Sequence, residues 1–224
     1  MKKYMYITLA VVVVLFIAWT ALSYLVEHSV KTPSYSVVEK RHGYEVRLYQ
    51  PYITAQVEVG GTYDEALNEG FKVLADYIFG NNTSQTGIAM TAPVVEAKSE
   101  KMAMTAPVTV KDNEVLAMTA PVIESSKEAG RTVSFVMPFE YTLETLPKPN
   151  NPRVEIVPQE ARKVAVLRFS WFRDSERVAK KKLELLSLLE KDSVVIKGEP
   201  EYAGYNAPFT APWLIRNEIM IEID

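Results

Sequence analysis

A six-residue sequence, Ala-Met-Thr-Ala-Pro-Val, occurs three times at a fixed spacing of 14 residues: Ala89 to Val94, Ala103 to Val108 and Ala117 to Val122. Each copy follows an apolar residue (Ile88, Met102, Leu116) and runs into a polar stretch, so each unit reads as a short strand and a turn. Because the spacing is even, a shift by one unit preserves which side chains face inward. The proline removes a ladder donor and restricts each copy to an edge strand, a strand end or a bulge. Three units this short do not make a solenoid, whose repeats run to about 20 residues or more. The expectation is a locally duplicated edge hairpin across 88–129. Met90, Met104 and Met118, with Met102 beside them, also form a thioether array of the kind that suits a soft metal such as Cu(I). With no cysteine and only two histidines in the chain to complete such a site, methionine packing is the expected role and no metal ion is predicted.

The absence of cysteine removes disulfides, thiolate metal sites and a cysteine nucleophile. With 224 residues, 48% of them hydrophobic, the chain has material for a core without staples. Its formal net charge is −3, and −5 once Lys2 and Lys3 are set aside, which argues against a nucleic-acid partner.

Those two lysines precede an uncharged stretch of 23 residues, Tyr4 to Val26, followed by Glu27 and His28. It is long enough to cross a bilayer as a helix. Residues 1–28 are therefore expected to form a single-pass membrane anchor with the N-terminus in the cytoplasm and the remainder of the chain on the far side. Ala21-Leu22-Ser23 offers a signal-peptidase site, but the apolar stretch exceeds the roughly 7 to 15 residues usual in a cleaved signal. A linker, 29–34, leads to a domain over 35–224.

Within that domain Tyr35 to Lys40 and Tyr44 to Tyr49 read as a hairpin turning at Arg41-His42-Gly43, where Gly43 and His42 both tolerate positive φ. Ile53, Ala55, Val57 and Val59 alternate with polar residues as in a half-buried strand. Thr62 and Glu65 form a capping box for a helix with a Tyr63, Leu67, Phe71, Leu74, Ile78 stripe, ending at Gly80. The order recurs 110 residues later: a strand over Lys163 to Ser170, a cap at Asp174 or Ser175, and a helix carrying Ala179, Leu183, Leu186 and Leu189. Strands at Val194 to Lys197 and Arg216 to Ile223 complete it. This predicts an α+β domain of two pseudo-symmetric strand-helix-strand-strand repeats, with a concave cleft between the halves as the ligand site.

Three separated motifs in order carry a family resemblance: the Met-Thr-Ala-Pro-Val core after a helix, the run Phe135 to Pro147, and Tyr205 to Trp213 continuing through Arg216-Asn217-Glu218. Over roughly Pro33 to Asp224 the chain resembles the SOUL haem-binding family. The resemblance implies a distorted antiparallel β-barrel of two strand-helix-strand-strand repeats with two main helices, similar to the effector-binding domains of some transcription regulators. It also implies an association with haem or another porphyrin, held in an apolar groove with or without an axial bond.

Residues that could serve such a ligand are few. His42 is one of two histidines, and its turn position explains it without ligation. Met90, Met104 and Met118 are available as weak ligands. Arg216 can pair with a propionate, and Tyr205 and Glu218 complete the set of candidates. In Asn217 to Ile223 the isoleucines share one face, which leaves Glu218 and Glu222 on the other, pointing to solvent; a sheet covered on both sides would instead make Glu218 a buried carboxylate for a cation. No G-x-S-x-G, H-E-x-x-H, P-loop or dinucleotide turn is present, so a non-enzymatic binding protein is expected. The alternatives are a small-molecule effector-binding domain or a hydrolase of the related two-repeat fold, the latter using Glu218 with Tyr205 or Tyr141, and an envelope protein-interaction module offering the repeat as an edge for strand addition.

Overall fold

The computed structural model describes residues 2–29, 32–84, 102, 105–112, 130–206 and 209–224. Helix α1 (Lys2–Ser29) is followed by β1 (Tyr35–Arg41), β2 (Tyr44–Tyr49), β3 (Tyr52–Val59), α2 (Tyr63–Ile78) and β4 (Asn82–Thr83). Then come β5 (Thr105–Asp112), β6 (Arg131–Val136), β7 (Lys148–Pro149), β8 (Glu155–Gln159), β9 (Arg162–Phe169) and α3 (Ser175–Lys191). Strand β10 (Glu201–Gly204), a 3-10 turn (Pro212–Leu214) and β11 (Asn217–Glu222) end the chain. Nine strands form one sheet in the order β1-β2-β9-β11-β10-β5-β6-β3-β8, and β4 and β7 pair separately.

This order carries the expected internal symmetry. Exchanging β2 with β8, β9 with β3, β11 with β6 and β10 with β5 maps the eight central strands onto themselves, with the antiparallel β5–β10 pair at the centre. The leading strand of each half pairs with the other half, β2 on β9 and β8 on β3. Helix α2 packs on β3 and β6, while α3 packs on β9 and β11. The sheet curls into a half-barrel. Arg162 on β9 donates from Nη2 to the Tyr52 hydroxyl on β3 at 3.0 Å, although four strands lie between them in the sheet.

Both helix starts match the sequence: the Thr62–Glu65 capping box is present, and Asp174 accepts from the Arg177 backbone. Helix α2 stops at the expected place, with Gly80 at φ +131°. The stripe read on α3 holds at Leu189 and half-buried Leu186 but fails at Ala179 and Leu183. Its buried residues are Val178, Leu185 and Leu189, and Leu183 is exposed. Five leucines among residues 183–189 leave the phase of that helix ambiguous, and only the sheet decides it. At the β1–β2 turn Gly43 takes the positive φ and His42 does not. A Cβ on Gly43 would also lie 2.9 Å from Leu188 of α3.

The edge-hairpin expectation fails for the repeat copy that is described. The second copy supplies β5, an interior strand between β10 and β6. Its proline is tolerated because Ala106 and Pro107 sit where the β5–β6 register shifts, and pairing with β10 begins only at Val108. The reason for using this copy can be read two residues further on. Val110 is 1% exposed in the core beneath the helices. The equivalent positions of the other copies are Glu96 and Glu124, which would place a carboxylate there. The first and third copies lie outside the described residues.

Candidate functional site

Strand alternation sorts the β11 side chains. Ile219 and Ile221 enter the core under the helices, and Glu218 and Met220 point to the inner face of the curl. There Glu218 is 0% exposed, not solvated as its position on the polar face suggested. The inner face closes on itself, through Tyr49, Tyr52, Val164, Val166, Ala203 and Met220, so its acid is buried as deeply as the apolar core.

A buried carboxylate requires partners, and Glu218 has a full set. Arg47 of β2 donates from Nη1 to both oxygens at 3.0 Å. Arg216 donates from Nε to Oε1 at 2.9 Å, and the Tyr205 hydroxyl to Oε2 at 2.7 Å. On its far side Arg47 holds Glu45 through Nε and Nη2 at 3.0 and 2.9 Å. Each guanidinium also lies over a ring, Arg47 over Tyr35 at 4.5 Å and Arg216 over Tyr205 at 3.9 Å. Burial is the largest single influence on Arg47 and Arg216 and works against their charge, but Glu218 and the neighbouring phenols together outweigh it and both pKa values rise. Burial, reinforced by Glu218, holds the Tyr205 phenol well above the ordinary tyrosine range and raises that of Tyr49. The network is thus two permanent cations and neutral phenols around Glu218, with Glu45 as a second acid on the far side of Arg47. It leaves no charge to attract a cationic ligand and no free oxygen to act as a base.

The expected residues Tyr205, Arg216 and Glu218 therefore come together, but Tyr141 packs against the helix-side core on the opposite face of the sheet. Met90, Met104 and Met118 lie outside the described residues. Sequence reasoning missed Arg47, Tyr49, Tyr52 and the Arg162–Glu201 pair, a two-pronged contact at 3.0 Å on the same inner face. The inward phase Glu45, Arg47, Tyr49 was visible in β2, but not that this face would be enclosed.

At the rim of the inner face the sheet gives way to a cleft of about 280 Å³ lined by Arg168, Phe169, Ser170, Trp213, Leu214 and Ile215. Arg168 is the cross-strand partner of Glu218, so the cleft opens beside the charge network. Its lining comes entirely from the second repeat, not from between the halves. Ser170 is held by Arg177, whose Nη2 donates to its carbonyl at 2.8 Å. Trp171, with φ 76°, is fixed by its N–H to Pro212 O at 2.9 Å and by Asn217 Nδ2 to its carbonyl at 2.8 Å. His42 does not belong to this cleft. Gly43 beside it meets Leu188, whereas the cleft is tied to Arg177, and those two helix positions are about 16 Å apart along α3.

Residues 30–222 match the SOUL heme-binding protein family. The chain belongs to that family. Heme-binding protein 2 of Homo sapiens is 30% identical over 190 residues, covering 80% of each chain. Heme-binding protein 2 of Mus musculus is 28% identical over 192 residues, covering 80% of this chain and 81% of the relative. A solved structure described as a hydrolase from Listeria innocua superposes with a TM-score of 0.50 at 10% identity, over 84% of this chain and 94% of that one. That likeness concerns the fold alone. The SOUL fold seen here places its aromatic and arginine motif, residues 205–218, on both the charge network and the cleft wall.

Proposed function

We propose that this SOUL-family chain is a membrane-anchored, non-enzymatic binding protein for haem or a related porphyrin, and that the cleft between the end of β9 and the 3-10 turn is its ligand site. The observation that carries this reading is the composition of the cleft. Phe169, Trp213, Leu214 and Ile215 provide apolar surface, and Arg168 stands at the rim where a propionate can pair with it. A cleft of about 280 Å³ takes one edge of a flat amphipathic macrocycle, by contact and charge, and leaves the rest of the ring outside it. The lining residues include no histidine, cysteine or tyrosine to ligate an iron. Haem, when bound, supplies the iron-centred redox and gas-binding chemistry. The chain's own part is to hold the macrocycle edge against Trp213 and to neutralise its carboxylates. Membership of the haem-binding family and the names of its two mammalian relatives support the ligand class.

Helix α1 supports the anchor. Among the described residues it is the one helix long and apolar enough to cross a membrane, with a mean hydropathy of 2.4 in an 18-residue window within Lys2–Leu25. Lys2 and Lys3 then favour a cytoplasmic N-terminus and a domain on the opposite side. A non-enzymatic role agrees with the saturation of Glu218 by Arg47, Arg216 and Tyr205.

Titration of the detergent-solubilised intact chain with haemin tests the site. The wild type should give a saturable Soret change at one equivalent, Ile215→Asp should weaken it at least tenfold, and His42→Ala should leave affinity within about threefold, the equivalent of roughly 0.7 kcal/mol. An unaffected Ile215→Asp, or a hundredfold loss in His42→Ala, would move the site away from this cleft.

A further inference from the structure

Helix α1 does not leave the domain as a free tether. Its C-terminal half docks on the chain between β10 and β11: Phe16 and Trp19 meet the Trp213 ring at centroid distances of 5.2 and 5.6 Å. Trp19 Nε1 donates to Phe209 O at 3.0 Å, and buried Ser23 accepts through Oγ from Ala211 N at 3.1 Å. If α1 spans the bilayer to Leu25, Trp19 and Phe16 lie about 9 and 14 Å inside the end of the span at 1.5 Å per residue. The segment they touch is then carried below the level at which the helix emerges.

That segment is built for such a position. Residues 209–215 carry no charge, and Phe209 is 61% exposed. Irregular backbone at membrane depth requires that its polar groups be satisfied by protein. Here Phe209 O and Ala211 N bond to α1 side chains, Pro212 has no N–H, Pro212 O accepts from Trp171 N, and Leu214 N donates to Ala211 O. The neighbouring loop adds Trp171 and Phe172, 51% and 59% exposed, on a backbone whose φ of 76° at Trp171 is strained for any residue but glycine. Arg173 and Asp174 follow at once, which limits that loop to the headgroup level.

We propose that these two loops form a membrane-seated aromatic collar around α1, with residues 209–214 entering the outer part of the leaflet and Trp171 and Phe172 resting at its interface. The partner is the lipid bilayer. The cleft that shares Trp213, Leu214 and Ser170 with the collar then opens at the membrane surface, and an amphipathic tetrapyrrole exchanges with the bilayer directly and not through water. This inference rests on the anchored reading of α1.

The chain has three tryptophans, Trp19, Trp171 and Trp213, each of which can be isolated by replacing the other two with Phe. In phosphatidylcholine vesicles containing lipids brominated at shallow or deep acyl positions, Trp19 and Trp213 should be quenched by both. Trp171 should be quenched more by the shallow bromine. Quenching of Trp19 alone would overturn the collar and leave the anchor standing; no quenching of Trp19 would overturn the anchor itself. Because the chain lacks cysteine, Phe209→Cys and Val195→Cys carry single environment-sensitive labels on an otherwise native tryptophan background. The 209 label should shift to the blue on reconstitution and the 195 label should not. Equal, water-like emission from both would refute the seating even if the tryptophan variants misfold.

Discussion

Deleting residues 102–115 removes one 14-residue unit, joins Lys101 to Leu116, and offers the third Ala-Met-Thr-Ala-Pro-Val copy to the place of β5. Judged by the repeat alone the change is nearly silent, because halving a loop alters closure entropy by about 0.6 kcal/mol. The core predicts otherwise. Glu124 would then occupy the position of Val110, which is 1% exposed beneath the helices. Losing the valine forfeits about 1.5 kcal/mol or more of burial. Holding a glutamate neutral at pH 7 against an ordinary pKa near 4.3 costs about 3.7 kcal/mol more, at 1.36 kcal/mol per unit. The sum, about 5 kcal/mol, is comparable with the whole stability of many domains. Urea unfolding followed by near-ultraviolet circular dichroism should show the deletion variant largely unfolded, and the same deletion with Glu124→Val close to the parent midpoint. A buried glutamate has a raised folded pKa. The deletion variant should therefore recover part of its stability as pH falls toward 4, where the acid becomes neutral in both states. A deletion variant as stable as the parent at pH 7 would show that β5 does not select its copy through Val110.

Arg47→Ala should destabilise by about 3 to 5 kcal/mol, because it leaves the Glu218 carboxylate buried beside only one cation; Arg47→Met with Glu218→Leu and Arg216→Met, which leaves neither Glu218 nor Arg216 as an unpaired buried charge, should regain most of that loss in the same unfolding assay. In an alkaline titration followed at 295 nm, the phenols of Tyr44, Tyr49, Tyr52, Tyr77, Tyr202 and Tyr205, all raised by burial, should resist ionisation until the domain unfolds. With Tyr202 pushed up to about 12, the stability its phenol contributes is full below pH about 10 and is lost as pH rises through about 12. A single tyrosine titration near pH 10 with the fold intact would contradict the enclosed inner face.

The helix caps, the two repeats and the hairpin were legible because each rests on local chemistry: Thr62 with Glu65, Asp174, and the alternation in β3 and β9. Glu218 was placed on the correct face of β11, but that face was misjudged as solvated. Its burial depends on curling that brings β3 to β9, a contact between residues 110 apart such as Tyr52 and Arg162. The position of β5 was misread for a related reason. Pro107 limits local pairing, but a register shift confines its effect to the strand's start, and the partners on both sides become visible only in the sheet. The cleft was invisible in advance because its two walls, Arg168 to Ser170 and Trp213 to Ile215, are more than 40 residues apart and neither carries a ligating side chain.

If Phe169, Trp213, Leu214 and Ile215 hold the macrocycle and Arg168 its carboxylate, the iron contributes little to affinity. Parallel titrations of the intact protein with haemin and with iron-free protoporphyrin IX, read by tryptophan quenching, test this most directly. Both should bind saturably at one equivalent with affinities within about threefold, or roughly 0.7 kcal/mol, of each other. Failure of both to bind, or protoporphyrin IX binding a hundredfold more weakly than haemin, would show that no porphyrin is held here by contact and charge.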